Sequence, residues 1–486
     1  MVNPAWGELV WSADHERAAI SRAVDRGNLR RLGVGLYTAV AAQELETAAR
    51  RRVWDIAARV FPGAVVVDRS SRAGGLGSSD ELFLVHARRG SFAVPGFTIV
   101  PRPGAGPIQG DIPLPNGLFL ASEARTMLES LAKPGGNRLD QIAVEDWIDE
   151  LCSRDGERRI NAVRDLAQSI APGLRTLGAF AKLQKLIAAA LSSGDVRIAR
   201  SPSLISRAGG IPFDKARLRK FSLLVDHLLS VSPGGVVDLV ADSPRRVTLP
   251  FFEAYFSNFI EGTEFTLNEA EGIVFNNEVP AERPADAHDI LGTYKLVADH
   301  QHMCEVPRSG QELIELLRNR HAEVMRARSD KRPGDFKVLA NRAGSSEFVA
   351  PELVEGTLHA GFDVGAALLD PFQRSVYMMF LIAETHPFAD GNGRVARIAM
   401  NAELVPNAQV RIIIPTVLRL NYISALKAAT HNDVFAPLTA VLAFAQRYTA
   451  RINFTTLATA EVDLSRTNAF RDPYEAEQSG IRLELP

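Results

Sequence analysis

The sequence predicts a mainly α-helical protein: a helical bundle carrying one β-hairpin, preceded by an N-terminal winged helix and a small α/β region. Three observations carry that expectation. Helical periodicity runs from about 250 to 450 and is interrupted once, by a β-like segment at 336 to 350. Residues 63 to 125 instead hold short β-like runs broken by Gly and Pro. The first 40 residues read as a helix followed by a glycine-bounded strand.

Composition narrows the function classes. A chain of 486 residues has room for several domains, and 46% hydrophobic with 23% charged residues supplies packed cores and a soluble surface. A formal net charge of −2 gives no whole-chain field that would recruit nucleic acid or membrane. Two cysteines, Cys152 and Cys304, are too few and too far apart for a disulfide framework, which fits a reducing cytoplasm. The N-terminus lacks an apolar signal core and no uncharged apolar run is long enough to cross a bilayer, so a cytoplasmic, non-membrane protein is expected.

In chain order, HERAAISRAVDRGNLRRL (15 to 32) reads as helical and GVGLYTAV (33 to 40) as a short strand, together a winged-helix-like unit over 1–62. A β-containing module over 63–125 is built on AVVVD, ELFLVHA and GFTIVPR. A helical region follows over 126–230, then a linker at 231–249 signalled by VSPGGVVDLVADSP. The main helical domain spans 250–450, and 451–486 is a tail of weak periodicity.

The chemistry concentrates in HPFADGNGRVAR, His386 to Arg397. Asp370 and Pro371 start a helix with a capping carboxylate and a first-turn proline, and Phe372, Val376, Met379, Phe380 and Ala383 bury one of its faces. Pro387 forces a turn. A second helix then carries Val395, Ile398, Ala402 and Val405 inward, with Arg394, Arg397 and Asn401 on another face, until Pro406 stops it. A glycine-rich turn feeding a helix N-terminus suits an anion: Gly391 and Gly393 admit a phosphate to backbone N–H groups, and two arginines add charge-assisted bonds. Asp390 is a single carboxylate of the kind that holds Mg²⁺ among waters and phosphate oxygens. His386, at the mouth of the turn, can take a proton from an incoming hydroxyl. Phosphoryl or nucleotidyl transfer is the chemistry these groups suggest.

The string matches the Fic family motif HPFxDGNGRxxR at all of its fixed positions, and the segment is similar to that family's catalytic loop. The resemblance implies protein adenylyltransferase activity: His386 deprotonates a Ser, Thr or Tyr hydroxyl for attack on the α-phosphate of ATP, and Asp390 binds Mg²⁺. Gly391, Asn392 and Gly393 would form the anion hole, Arg394 and Arg397 would hold the β- and γ-phosphates, and Phe388 would anchor the loop. Aspartate at 390, where Doc kinases have lysine, favours AMP transfer over phosphorylation. Upstream, Ser257, Glu261 and Gly262 in YFSNFIEGTEF resemble the family's inhibitory pattern Ser/Thr-x-x-x-Glu-Gly/Asn. By that resemblance Glu261 would pair with Arg397 and deny the γ-phosphate its partner, leaving the enzyme inhibited at rest.

Looser likenesses complete the reading. GDFKVLANRAGSSEFVAP (334 to 351) resembles the family's flap hairpin, which holds a target by strand addition. Asn421 and Tyr422 resemble the late helix lining the adenine pocket. ISRAVDRGNLRRLGVGLYT is similar to the winged-helix start of AbiEi-type antitoxin regulators, and Arg22, Arg26, Arg30 and Arg31 are either a DNA contact or a solvated face. His300, His302 and Cys304 lack a second ligand pair at zinc spacing and read as structural. Two rivals remain open: the same site removing AMP, or transferring another nucleotide or phosphate group; and a DNA-binding regulator in which the helical domain senses. Monomer and homo-oligomer both stay open.

Overall fold

The structure, a computed structural model, describes residues 6–133, 135–231, 235–239 and 246–486. It divides into two compact units, Met1–Gly210 and Ile211–Pro486. Among the described residues no helix is long and apolar enough to cross a membrane.

The first unit opens with β1 (Val10–Trp11), α1 (Arg17–Asp25), β2 (Arg30–Gly33) and β3 (Leu36–Thr38), the strands forming one antiparallel sheet in the order β1-β3-β2. The helix expected to reach residue 32 stops at Asp25, because Gly27 turns the chain with φ 73° and Asn28 follows. Arg22 and Arg26 therefore lie at the end of α1 while Arg30 and Arg31 lie on β2, and the four do not share a helix face. Arg30 donates to the Val40 carbonyl at 3.2 Å.

Next come α2 (Leu45–Arg51), α3 (Val53–Val60), β4 (Val65–Val66), α4 (Asp68–Ala73), β5 (Glu81–Val85), β6 (Phe92–Val94), β7 (Phe97–Arg102), β8 (Ile112–Pro113) and β9 (Phe119–Leu120). The last six strands make a mixed sheet in the order β6-β7-β5-β4-β9-β8, with β4–β9 and β5–β7 parallel. Leu32 and Leu36 of the small sheet share one apolar core with Ile56, Phe61, Leu82 and Ile99. The segments expected as separate modules at 1–62 and 63–125 are thus joined by burial. Helices α5 (Glu123–Ala132), α6 (Gln141–Leu174, broken at Gly156), α7 (Leu177–Ala190) and α8 (Pro202–Ala208) close a second core around Leu128, Ile148, Leu183 and Leu204.

The second unit contains α9 (Lys215–Ser230), α10 (Leu249–Ile260), α11 (Leu267–Asn276), α12 (Pro284–Ala298), α13 (His300–Cys304) and α14 (Gly310–Val324). A two-stranded hairpin, β10 (Arg342–Ala343) and β11 (Ser346–Glu347), separates these from α15 (Val354–Val364), α16 (Pro371–Thr385), α17 (Asn392–Leu404), α18 (Arg419–Asn432), α19 (Ala436–Arg451), α20 (Leu457–Arg466) and α21 (Pro473–Ser479). Its core extends beyond the boundaries expected from periodicity. Phe221, Leu224 and Leu228 of α9 and Phe454, Leu464 and Leu483 of the expected tail are buried with Phe372, Phe380 and Tyr422. Within the expected linker, residues 232–234 and 240–245 lie outside the described residues. The rest is tied down: Val236 and Asp238 exchange backbone bonds with Val410 and Ala408, and Asp238 pairs with Arg246 at 3.1 Å.

Candidate active site

Helix α16 begins as the sequence dictates, with the Asp370 carboxylate accepting from the Gln373 N–H at 2.9 Å and proline in the first turn. It ends at His386, which adopts the left-handed conformation (φ 52°) while its N–H still reaches the Ile382 carbonyl. The turn that follows is braced from inside. The Asn392 side chain accepts from the Phe388 N–H at 2.8 Å and donates to the Phe388 carbonyl at 2.9 Å, and Asp390 accepts from the Gly391 N–H at 2.7 Å. Phe388 is fully buried and stacks on the His321 ring at 3.7 Å and 3°. His321 adds a bond between its Nε2 and the Asp390 carbonyl at 3.1 Å, and its Nδ1 accepts from the Gly334 N–H at 2.9 Å.

Gly391 (φ 74°) precedes α17, and no side chain caps that helix. The first N–H groups of a helix have no intrahelical acceptor, so those of Asn392 and Gly393 are left for an anion. A Cβ on Gly393 would collide with the Glu261 carboxylate and crowd the Arg397 guanidinium, so a larger residue there would have to displace the Glu261 side chain.

His386 is partly buried, and its Nδ1 lies 3.3 Å from the Ala383 carbonyl. That bond requires Nδ1 to carry the proton, which leaves Nε2 with a free lone pair. Burial pushes the imidazole pKa down to about 4; the Lys337 ammonium adds to this, while the Ala383 bond, Glu261 and Asp390 oppose it. Phe348 stacks on the ring at 3.7 Å and 6°. A cavity of about 230 Å³ opens beside it, with apolar walls from Phe380, Ala383, Ile423 and Leu426, and with Glu261, Gly393 and Arg397 at its polar end. The hairpin contributes Ala343, Ser346 and Phe348 to the same cavity.

Arg397 is buried and held from the end of α10. Its Nε donates to the Ser257 hydroxyl (3.0 Å), and its Nη2 donates to the Ser257 carbonyl (2.8 Å) and the Glu261 carboxylate (2.7 Å). Burial opposes its charge, but Glu261 and Tyr422 more than offset that and hold the guanidinium pKa above its ordinary value. Gly262 ends α10 with φ 88°. Tyr422 lies on the cavity wall, 1% exposed, its hydroxyl 3.3 Å from the Met379 sulfur, and burial raises its pKa.

Two expected residues stand elsewhere. Arg394, which spacing placed beside Arg397, is buried against α12 in an ion pair with Asp289 at 2.6 Å and does not line the cavity. Three residues advance a helix by about 300°, which leaves Arg394 about 60° round from Arg397, and Asp289, itself 1% exposed, supplies a counter-ion on that side. Asn421, adjacent to Tyr422 and therefore on another face of α18, is exposed and lines a different hollow. Asn401, on the Arg397 side, bonds Glu253 of α10 (2.8 Å) and both backbone polar groups of Ile412. Among the described residues no group of three or more metal-capable side chains occurs; Cys304 and His300 lie 3.6 Å apart and stand alone. His321 and Asp289 are isolated residues outside any motif, and Lys337 and Phe348 lie in the flap-like segment with no chemical signal of their own; folding alone joins the four to the turn.

Residues 312–404 match the Fic/DOC family. The protein adenylyltransferase Fic of Nematostella vectensis is 25% identical over 244 residues, 48% of this chain and 56% of that protein. A probable protein adenylyltransferase of Aquifex aeolicus is 43% identical over 66 residues, 14% of this chain and 20% of its own length. Among solved structures, a segment of Fic-1 from C. elegans aligns at 17% identity and a TM-score of 0.37, covering 68% of this chain and 98% of its own. The chain spans about half the length, or less, of the curated relatives it matches.

Proposed function

Because residues 312–404 match the Fic/DOC family, we propose that this chain transfers AMP from ATP to a Ser, Thr or Tyr hydroxyl of a target protein. The observation that carries the reading is His386: its Nε2 lone pair is free at the edge of a cavity whose polar end holds an uncapped helix N-terminus and a buried arginine. In the step proposed, Nε2 takes the hydroxyl proton as the oxygen bonds to the α-phosphorus. The bond between the α- and β-phosphates breaks and pyrophosphate leaves. The α17 N-terminus would receive the anionic oxygens, and the apolar wall that includes Tyr422 would receive the base.

The donor set fits Mg²⁺: Asp390 offers one carboxylate, 43% exposed and next to the cradle, and Mg²⁺ takes one or two carboxylates with waters and phosphate oxygens. Bound there, the ion would neutralise charge developing on the phosphates. The Ser257–Glu261–Arg397 contact supports self-inhibition, since Arg397 cannot serve a terminal phosphate while Glu261 holds it.

Incubation with ATP labelled at the α- or the γ-phosphate tests the reading. Protein-bound label from the α position is expected; label from the γ position alone overturns it. Glu261 also lines the cavity beside His386, which favours a second reading in which its carboxylate orients a water that removes AMP. Release of AMP from an adenylylated target, lost on Glu261→Gln, would favour that direction.

A further inference from the structure

Lys337 lies in the segment leading to the hairpin and is 5% exposed. Its ammonium makes one hydrogen bond, to the Asn341 side-chain oxygen at 2.6 Å, and among the described residues no carboxylate pairs with it. A buried, unpaired ammonium is costly, so packing stability does not account for it: a methionine would fill the same space without desolvating a charge.

What surrounds Lys337 is the catalytic turn. Its own N–H donates to the Pro387 carbonyl at 2.9 Å, and Asn341, which it holds, donates to the next carbonyl, that of Phe388, at 2.9 Å. The Asn341 backbone carbonyl in turn accepts from the Phe348 N–H at 3.3 Å. Phe348 is the residue stacked on His386, and the Lys337 ammonium lies 5.9 Å from the centre of that phenyl ring. Two consecutive carbonyls after the histidine, and the aromatic cover on its face, are therefore held by one lysine–asparagine pair.

We propose that Lys337 is a positioning residue for His386: through its backbone and through Asn341 it seats the hairpin on the 387–388 turn so that Phe348 covers the imidazole, and it brings a positive charge beside that ring. A like charge disfavours the imidazolium, keeping Nε2 unprotonated. The other charged groups facing the ring do not supply this. Glu261 from α10 and Asp390 from the turn act in the opposite sense. Arg397 is neutralised by Glu261, Glu384 is tied to Arg217, and Lys427 is exposed on α18. Naming His386 as the proton acceptor rests on the AMP-transfer reading; the geometry of the pair does not.

NMR titration of the His386 ring in the unliganded protein, assigned against His386→Gln, tests the charge. Lys337→Met and Lys337→Gln, the latter retaining a donor toward Asn341, are both expected to raise the His386 midpoint by about one unit, whereas Lys337→Arg leaves it in place. An unchanged midpoint in a folded Met or Gln variant overturns the proposal. The seating is read from the same ring: its upfield displacement by Phe348 should diminish in Asn341→Ala, and retention of the full displacement also overturns the proposal. Should the parent fail to transfer AMP while the midpoint moves as expected, the proposed function falls and this inference stands.

Discussion

The Glu261 carboxylate stands 2.7 Å from the Arg397 guanidinium, joining the end of α10 to the face of α17 that borders the cavity. Glu261 is 28% exposed at the side chain while Arg397 is 7% exposed, so the arginine is held from a side that solvent reaches. Glu261→Gly should therefore release the Arg397 guanidinium from its carboxylate without unfolding α10, whose Ser257 and Glu253 contacts remain. Self-labelling from α-labelled ATP is expected to rise at least about tenfold, the value of a charge-assisted bond regained by the nucleotide. A variant that labels no faster than the parent at saturating ATP would dispose of the inhibitory contact.

His386→Ala removes the free Nε2. Transfer should fall by about two to four orders of magnitude, as for loss of a general base, while the circular dichroism spectrum stays that of the parent. Retained transfer would assign the proton to another group.

The pH dependence follows from two histidines. Burial holds both His386 and His321 down to about 4, below the ordinary value near 6.5. Between those limits the unfolded chain binds protons that the folded chain does not. Stability therefore falls as pH drops from 6.5 towards 4, by on the order of 2 to 3 kcal/mol for the fully buried His321. Protonating His321 would also place a hydrogen on the Nδ1 that accepts from Gly334. Urea midpoints across this window should be less pH-dependent in His321→Gln; an equal slope would refute it. Transfer itself should stay level from about pH 5 to 8 on the His386 side and lose rate only near pH 4.

Asp289 faces two arginines, Arg394 at 2.6 Å and Arg328 at 2.8 Å. Asp289→Asn leaves the buried Arg394 guanidinium without its counter-ion, and about 3 kcal/mol of stability should be lost in urea denaturation. A loss below about 1 kcal/mol would show that Arg394 finds another partner, with Asp390 at 4.0 Å the nearest carboxylate.

Much of the 386–393 turn is legible in the sequence because its parts are chain neighbours. The Asp370 cap, the stop at Pro387, the glycine-rich turn and the start of α17 each depend on residues a few positions apart, where backbone sterics act directly. The local geometry of the 257–262 segment has the same origin: Ser257 and Glu261 are one turn apart and Gly262 follows the end of the helix. The first helix was read too long because apolar spacing continues past Gly27, where the backbone turns.

What the chain determined by itself is thus the identity and order of the groups in the turn, set by short-range steric and hydrogen-bonding rules. Tertiary structure alone decided their partners: Phe348 over His386, Asp289 on Arg394, Lys337 and Asn341 on the carbonyls of Pro387 and Phe388. It also drew α9 and the last helices into one core with α16. The reason is that burial of apolar surface is non-directional and indifferent to sequence separation, so only the packed chain settles which distant residue meets a given polar group.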